Sequence, residues 1–292
     1  MQKNITSTIS KESIERAFLL QKSFSSSYYM ASLFFPKRMR EEIALLYAFV
    51  RIPDEYVDNG HDTATTLEQI NNWRNEWQLV IEDKSTGIWP MQDIKRIHEK
   101  YSIPFEYATD FIDTMIKDTV KERYATHTEL KCYMYGSAAT VGRIITNMAG
   151  VHDVSVLERA DDLAYAMQVT NILRDIGEDY ALRGRIYVPL ENLAKYGLDE
   201  AFIKRGVVTQ AWKTFMKEHI AFNHTLYREA DKGIVSLPVY MRRPVAISSK
   251  VYEGILNQIE KNNYDVFTMR ARTSKLFKIG VIIKVLFTWQ KK

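Results

Sequence analysis

A single cysteine, Cys132, stands in a chain of 292 residues. No internal disulfide can form, so the small stapled folds of secreted proteins are excluded. The six histidines are scattered without ligand spacing, which argues against a zinc site. No Glu-x-x-His motif is present, so a di-iron carboxylate bundle lacks its signature. Net charge is only +4, from 40 basic and 36 acidic residues. That excess does not argue for nucleic acid, and no motif of the known nucleic-acid-binding folds occurs. A mildly basic surface is compatible with anionic lipid or a phosphorylated substrate. No apolar run reaches the roughly 18 residues that a spanning helix needs. The N-terminal stretch MQKNITSTISKESIERAFLL lacks the apolar centre of a signal peptide, so a cytoplasmic location is expected.

Hydrophobic residues make up 46% of the chain and charged residues 26%, the balance of a globule with an ample core. Strand signals are weak, and helical periodicity dominates. In REEIALLYAFVRI, apolar residues 43, 46, 47 and 50 form one stripe. Breaks are expected at DKSTGIWP (83–90), AGVHD (149–153) and LRGRIYVP (182–189), and Pro104 sits near a helix start. No linker, fixed repeat or low-complexity segment divides the sequence. The expectation is an all-α, single domain over residues 1–292, with eight or more helices. The segment KLFKIGVIIKVLFTW near the end is interrupted by Lys278 and Lys284. It reads as a C-terminal core helix, or as a helix whose apolar face touches a membrane while its lysines meet headgroups.

The chemistry lies in the acids. Asn171, Asp175 and Asp179 in TNILRDIGED are four residues apart, which stacks three oxygen-bearing side chains on one helical face. In RIPDEYVD, Asp54 and Asp58 repeat the spacing. Tyr47 and Arg51 extend that stripe backwards at helical steps. Pro53 lies inside it, where a proline usually kinks a helix, and a bend there would aim Asp54 inward. One D-x-x-x-D is ordinarily a solvated face, but two such pairs are harder to assign to solvent. If the helices face each other, the carboxylates converge on one cavity, a costly arrangement unless compensated. Mg²⁺ would compensate them, since it prefers oxygen ligands and is often completed by substrate phosphates. Gly177 would then leave room for a ligand or a neighbouring backbone.

Four blocks together resemble the squalene and phytoene synthase family: SSSYYMASLFFP, LLYAFVRIPDEYVD, YGSAATVG and AYAMQVTNILRDIGEDYALRGRIYVP. The resemblance runs from about Ser25 to Lys278. It implies an isoprenoid-synthase-type helical bundle with a central cavity, joining two allylic isoprenoid diphosphates head to head. It further implies that Asp54, Asp58, Asn171, Asp175 and Asp179 bind Mg²⁺, with Mn²⁺ as a substitute. Ser25, Ser27, Arg51, Arg174 and Arg270 are implied to grip diphosphate. Tyr28 and Gln168 are implied to contact substrate. Tyr47, Tyr135, Tyr187 and Tyr252 match tyrosines near the reaction centre, where aromatic faces stabilise a carbocation. Other readings of single residues stay open: Ser25 and Ser27 as a helix cap, Arg270 with Arg272 and Lys275 as a solvated face, and YGSAATVG as a close helix contact that also widens the cavity.

Three departures from the family pattern stand out. The first motif reads Asp54-Glu55 where two aspartates are common. Pro53 is unusual, and Ala139 takes the place of a typical glycine, which would narrow the cavity. The expected reaction joins two geranylgeranyl diphosphates to phytoene through prephytoene diphosphate, without reductant. The alternative is a squalene or dehydrosqualene synthase acting on farnesyl diphosphate, with NADPH needed only for squalene. A non-catalytic assembly homologue and a class I terpene synthase or chain-elongating enzyme are the readings from other classes. Peripheral membrane contact through the C-terminal helix completes the expectation.

Overall fold

Helices begin where short polar side chains can receive the otherwise unpaired amide hydrogens of a first turn. Ser10, Asp62, Thr126, Asp153, Asp199, Thr209 and Ser274 each accept such a hydrogen bond at an N-cap. The resulting elements, in a computed structural model that describes residues 9–59 and 62–289, are α1 (Lys11–Phe24), α2 (Ser26–Ser32), α3 (Lys37–Asn59), α4 (Thr63–Ile81), α5 (Met91–Tyr101), α6 (Phe105–Val120) and α7 (His127–Met134). A π-turn (Tyr135–Ala139) leads into α8 (Thr140–Met148). There follow α9 (Val154–Arg183), α10 (Leu190–Ala194), α11 (Glu200–Arg205), α12 (Gln210–Ile234), α13 (Val239–Lys261) and α14 (Lys275–Thr288). The N-terminal residues 1–8, part of the stretch read above for a signal peptide, lie outside the described residues. Among the described residues the only extended pairing is an isolated bridge between Arg123 and Ile186. The three expected breaks fall between α4 and α5, between α8 and α9, and after α9.

Two apolar cores flank the middle of the molecule. One gathers Leu45, Phe49, Trp77, Ile94 and Ile112 from α3 to α6. The other gathers Trp212, Phe215, Tyr227, Leu256 and Ile259 from α12 and α13, with Ile172 and Ile176 of α9. Helix α9 packs chiefly on α12, and also touches α8, α13 and the π-turn. It is the partition against which both cores close.

Several local expectations change. Helix α3 continues through Pro53 to Asn59 without interruption, so the acids of its last turns stay in helical register. Gly177 makes room for backbone. A Cβ there would fall 2.7 Å from Phe267 Cα and press on the Val266 carbonyl. YGSAATVG serves both roles expected of it. A Cβ on Gly136 would collide with Thr114 of α6, with 2.7 Å to its Cβ, while Ser137, Ala138, Val141 and Gly142 face a cavity. Ala139 is fully buried and does not line that cavity, so it does not narrow it. Helix α14 is only half a core helix. It packs on α13 and buries Lys278 and Val285, but leaves Leu276 at 82% and Phe287 at 75% exposure. No helix among the described residues is long and apolar enough to cross a membrane.

Substituting Gly177→Ala therefore forces α9 away from the 266–267 backbone. It is expected to cost about 1–3 kcal/mol, the scale of overpacking a rigid contact. Thermal unfolding followed by circular dichroism should show a melting point lowered by several degrees. An unchanged one would mean that the segment yields freely.

Candidate active site

The last two turns of α3 and the last three of α9 converge. Arg183, on the final turn of α9, joins them: its Nε lies 3.3 Å from Asp58 Oδ1 and donates to the Asp58 carbonyl at 3.2 Å. Its Nη1 donates to Asp179 Oδ1 at 3.0 Å. The two acid motifs, more than a hundred residues apart in sequence, thus share one guanidinium. The other acids are also held by arginine. Arg51 bridges Asp54 at 2.5 Å and also reaches Glu55. Arg174 Nε donates to Asp175 Oδ1 at 2.7 Å, and Arg270 binds the same carboxylate through two nitrogens at 3.0 and 3.2 Å. Arg270 Nε also lies 3.1 Å from Glu178. Arg270 is therefore anchored on the acid cluster while its side chain stays 40% exposed.

These residues wall a polar cavity of about 970 Å³. Asp54 keeps 40% of its side-chain surface open to it, yet the surroundings are protein. Burial and the neighbouring Asp58 push the Asp54 carboxyl up to about 7. Burial and Asp175 do the same to Asp179, also to about 7. Burial alone would raise Asp175 too, but Arg174 and Arg270 outweigh it and hold that carboxyl below its ordinary value. A second cavity of about 300 Å³ has almost wholly apolar walls. Its sides include Leu46 and Val50 of α3, Leu163 and Met167 of α9, Ile234 of α12 and Met241 of α13. Tyr28, Tyr47, Val50, Ser137, Gln168 and Asn171 line both spaces. They form a throat between a charged chamber and an oily channel.

Most residues singled out from the sequence meet at this chamber: Ser25, Ser27, Tyr28, Tyr47, Arg51, Asp54, Asp58, Gln168, Asn171, Arg174, Asp175, Asp179, Tyr187, Tyr252 and Arg270 all line it. Ser25 is also the N-cap of α2, accepting from the Tyr28 amide at 3.3 Å. The Tyr28 ring lies 5.2 Å from that of Tyr252 and 6.3 Å from that of Tyr47. Gln168 accepts from Asn171 at 3.4 Å. Tyr135 is the exception. It lines neither cavity and instead lies under the Arg143 guanidinium, 5.4 Å from ring to charge. Tyr133 takes the place by the chamber, with its ring 5.2 Å from Tyr187. The signal was spacing: Tyr133 precedes the cavity-lining Ser137 by one helical turn, and Tyr135 is half a turn off. The sequence reading passed over Asp118 and Arg183, and it read Lys278 only as part of the C-terminal helix, whereas all three line the chamber. Asp118 could have been noticed as an acid on the stripe of Phe111 and Met115, which line the same wall.

The donor set suits a hard divalent cation: carboxylates and one amide oxygen, without sulfur or imidazole. The Asn171 Oδ1 is buried with no hydrogen-bond partner, an acceptor prepared for something. Among the described residues no three acidic groups form a ready-made cage. That pattern agrees with Mg²⁺, which takes one or two carboxylates and fills its shell with water and phosphate oxygens.

An all-helical shell around an oily channel, with facing acid motifs at its mouth, defines an isoprenoid-synthase-type fold. The superposition on a crystal structure of a dehydrosqualene synthase agrees: TM-score 0.88 at 23% identity, covering 96% of this chain and 98% of that one. A squalene synthase from Alicyclobacillus acidocaldarius superposes with TM-score 0.78 at 25% identity, over 87% of this chain and 95% of its own. The sequence model described as squalene/phytoene synthase matches residues 21–276, and the chain belongs to that family, whose members are prenyltransferases. Among its relatives, the chloroplastic phytoene synthase of an Oncidium hybrid cultivar is 34% identical over 96% of this chain and 69% of its own length. Phytoene synthase 1 of Zea mays is 34% identical over 91% and 66%. Phytoene synthase 2 of Solanum lycopersicum is 32% identical over 92% and 88%. The chain spans about two thirds of the length of the first two.

The raised carboxyls at Asp54 and Asp179 have a consequence for stability. The folded protein keeps their protons to a higher pH than the unfolded chain does. Their contribution is complete below about pH 4 and is lost as pH rises through about 7. With chelator present, the melting point should fall between about pH 5 and pH 8. The double variant Asp54→Asn/Asp179→Asn should flatten that slope. An unchanged slope in the variant would contradict the burial of these two carboxyls.

Proposed function

We propose that the chain joins two molecules of geranylgeranyl diphosphate head to head, giving phytoene through prephytoene diphosphate. The observation that carries this reading is the throat. It connects a chamber built for diphosphate and metal to a channel built for a polyprenyl chain, so the reacting allylic carbon of a bound substrate falls between them. The names of the plant relatives support the C20 substrate over the C15 one.

Mg²⁺, with Mn²⁺ as a substitute, would be held by Asp54, Asp58, Asn171, Asp175 and Asp179, and supplies Lewis-acid stabilisation of the departing diphosphate. The chain's own groups do the rest. Arg51, Arg174 and Arg270 lie within the chamber, where their forked donors can turn from carboxylate to diphosphate oxygens. Ser25 and Ser27 present hydroxyls at its rim. The rings of Tyr28, Tyr47, Tyr133, Tyr187 and Tyr252 surround the place where positive charge develops, and stabilise it without forming a bond. The apolar channel holds the tail and keeps water from the cation. Outward-facing Leu276, Ile279, Ile283 and Phe287, flanked by Lys275 and Lys284, support a peripheral contact of α14 with anionic lipid.

A squalene or dehydrosqualene synthase is the second reading, favoured by the titles of the superposed structures. Incubation with C15 and C20 diphosphates and Mg²⁺, with and without NADPH, separates the two. The expected product is a C40 hydrocarbon formed without reductant, and a C30 product would overturn the substrate assignment. Asp54→Ala and Asp175→Ala should each lower the rate about a thousandfold, the scale of losing a group that stabilises transition-state charge. Near-normal turnover in either variant would contradict the metal assignment.

A further inference from the structure

Asp118, at the end of α6, is an acid that no motif predicts. It is 4% exposed, yet it lines the polar chamber. Its Oδ2 accepts a hydrogen bond from the Tyr187 hydroxyl at 3.0 Å. The Arg185 guanidinium stands 3.8 Å from the same oxygen and 3.5 Å from the Tyr187 hydroxyl. The other carboxylate oxygen, Oδ1, is buried without a hydrogen bond of good geometry, and the Tyr124 hydroxyl is a further donor facing the carboxylate. A buried carboxylate with spare acceptor capacity is costly unless it has a task. The arginine beside Asp118 is Arg185, which pairs with neither acid motif among the ion pairs of the described residues. Tyr187 lines the same chamber beside it, with its ring stacked on Tyr124 at 5.7 Å and tilted against Tyr133 at 5.2 Å. Three rings thus fix one hydroxyl against an acceptor at the cavity wall.

The proposed reaction needs such an acceptor. Closing the cyclopropane of prephytoene diphosphate removes a proton from the carbon that bore the departed diphosphate, which stands 1,3 to the cationic carbon. Forming the central double bond of phytoene removes a second. Resting on the function proposed above, we propose that Tyr187 and Asp118 form the proton exit. In the first step the C–H bond 1,3 to the cation breaks and its electron pair forms the third ring bond; in the second the C–H bond adjacent to the cation breaks and its pair forms the double bond. The proton goes to the Tyr187 oxygen, and the Tyr187 hydroxyl proton passes to Asp118 Oδ2. Charge balances: the cation is discharged and the carboxylate becomes a carboxylic acid, which later gives its proton back through the same hydroxyl. A neutral phenol suffices as first acceptor because a proton beside a carbocation is strongly acidic and the phenol's own proton leaves at once. Burial pushes the Asp118 carboxyl up to about 6, and Arg185 and the Tyr187 hydroxyl oppose that rise. Asp54 and Asp58 of α3, Asp179 of α9, Arg185, Tyr124 and Tyr133 are other titratable groups that face the pair.

The test is Asp118→Asn, which keeps the shape and can still accept from Tyr187 but cannot take a proton. Geranylgeranyl diphosphate carrying deuterium on the carbon that bears the diphosphate is the probe. Diphosphate release and hydrocarbon are measured together, with the folded state checked by circular dichroism. The expected result is hydrocarbon formation lowered about a hundredfold, the usual reach of a general base, while the first burst of diphosphate persists. The missing hydrocarbon should be replaced by prenyl alcohol from water capture. An isotope effect on hydrocarbon formation should emerge that the unaltered enzyme lacks. If Asp118→Asn loses its helical signal, Tyr187→Phe carries the same test, since it keeps the ring and removes only the hydroxyl. Unaltered hydrocarbon yield without an isotope effect would overturn the proposal. So would equal loss of diphosphate release and hydrocarbon, which would place Asp118 in the ionisation step. Absence of diphosphate release from the unaltered enzyme would instead defeat the function on which the proposal rests.

Discussion

The structure turns on like charges held face to face. Asp54 and Asp58 at the end of α3, and Asp175 and Asp179 at the end of α9, would repel one another in a low-dielectric interior. The fold keeps them together because four arginines, 51, 174, 183 and 270, thread between them. Replacing such an arginine would leave buried charge uncompensated, which is far costlier than losing a surface ion pair. The helices behind the acids are held by two separate cores, so the site does not depend on its own ion pairs for its position. The scaffold is apolar, and the chemistry is concentrated where its halves meet.

That division explains what could be read from the sequence. The helices, their breaks at 83–90, 149–153 and 182–189, and the stripe of Tyr47, Arg51, Asp54 and Asp58 were all legible, because they follow from local periodicity and capping. The convergence of the two acid motifs was legible only as a condition, since spacing shows which residues share a face and not what that face meets. Arg183 was beyond reach for that reason: its part depends on the approach of two helix ends distant in sequence. Asp118 stood outside both acid motifs, and only its place on the stripe of Phe111 and Met115 marked it as facing inward. Tyr135 rested on the family resemblance, whereas angular position around the helix pointed to Tyr133. The C-terminal helix was read as core or membrane-facing, and the structure divides it, with Lys278 inward and Leu276 outward.

The throat also bears on how one cavity can host two steps. Six residues belong to both the charged chamber and the oily channel, so an intermediate that keeps its diphosphate and its tails need not leave to react again. Asn171 and Gln168 supply polar atoms there without net charge. Tyr28 and Tyr47 supply aromatic faces. A cation in that ring meets electron density on most sides and few atoms able to bond to it.

The contact at Gly177 reaches beyond stability. With no methyl between them, the acid-bearing turn of α9 lies directly on the backbone of 266–267, and that same strand of chain carries Arg270 a few residues later. Carboxylate and guanidinium therefore ride on one rigid body. A change that lifts this turn of α9 would thus disturb the arginine that closes on Asp175 together with the acid itself.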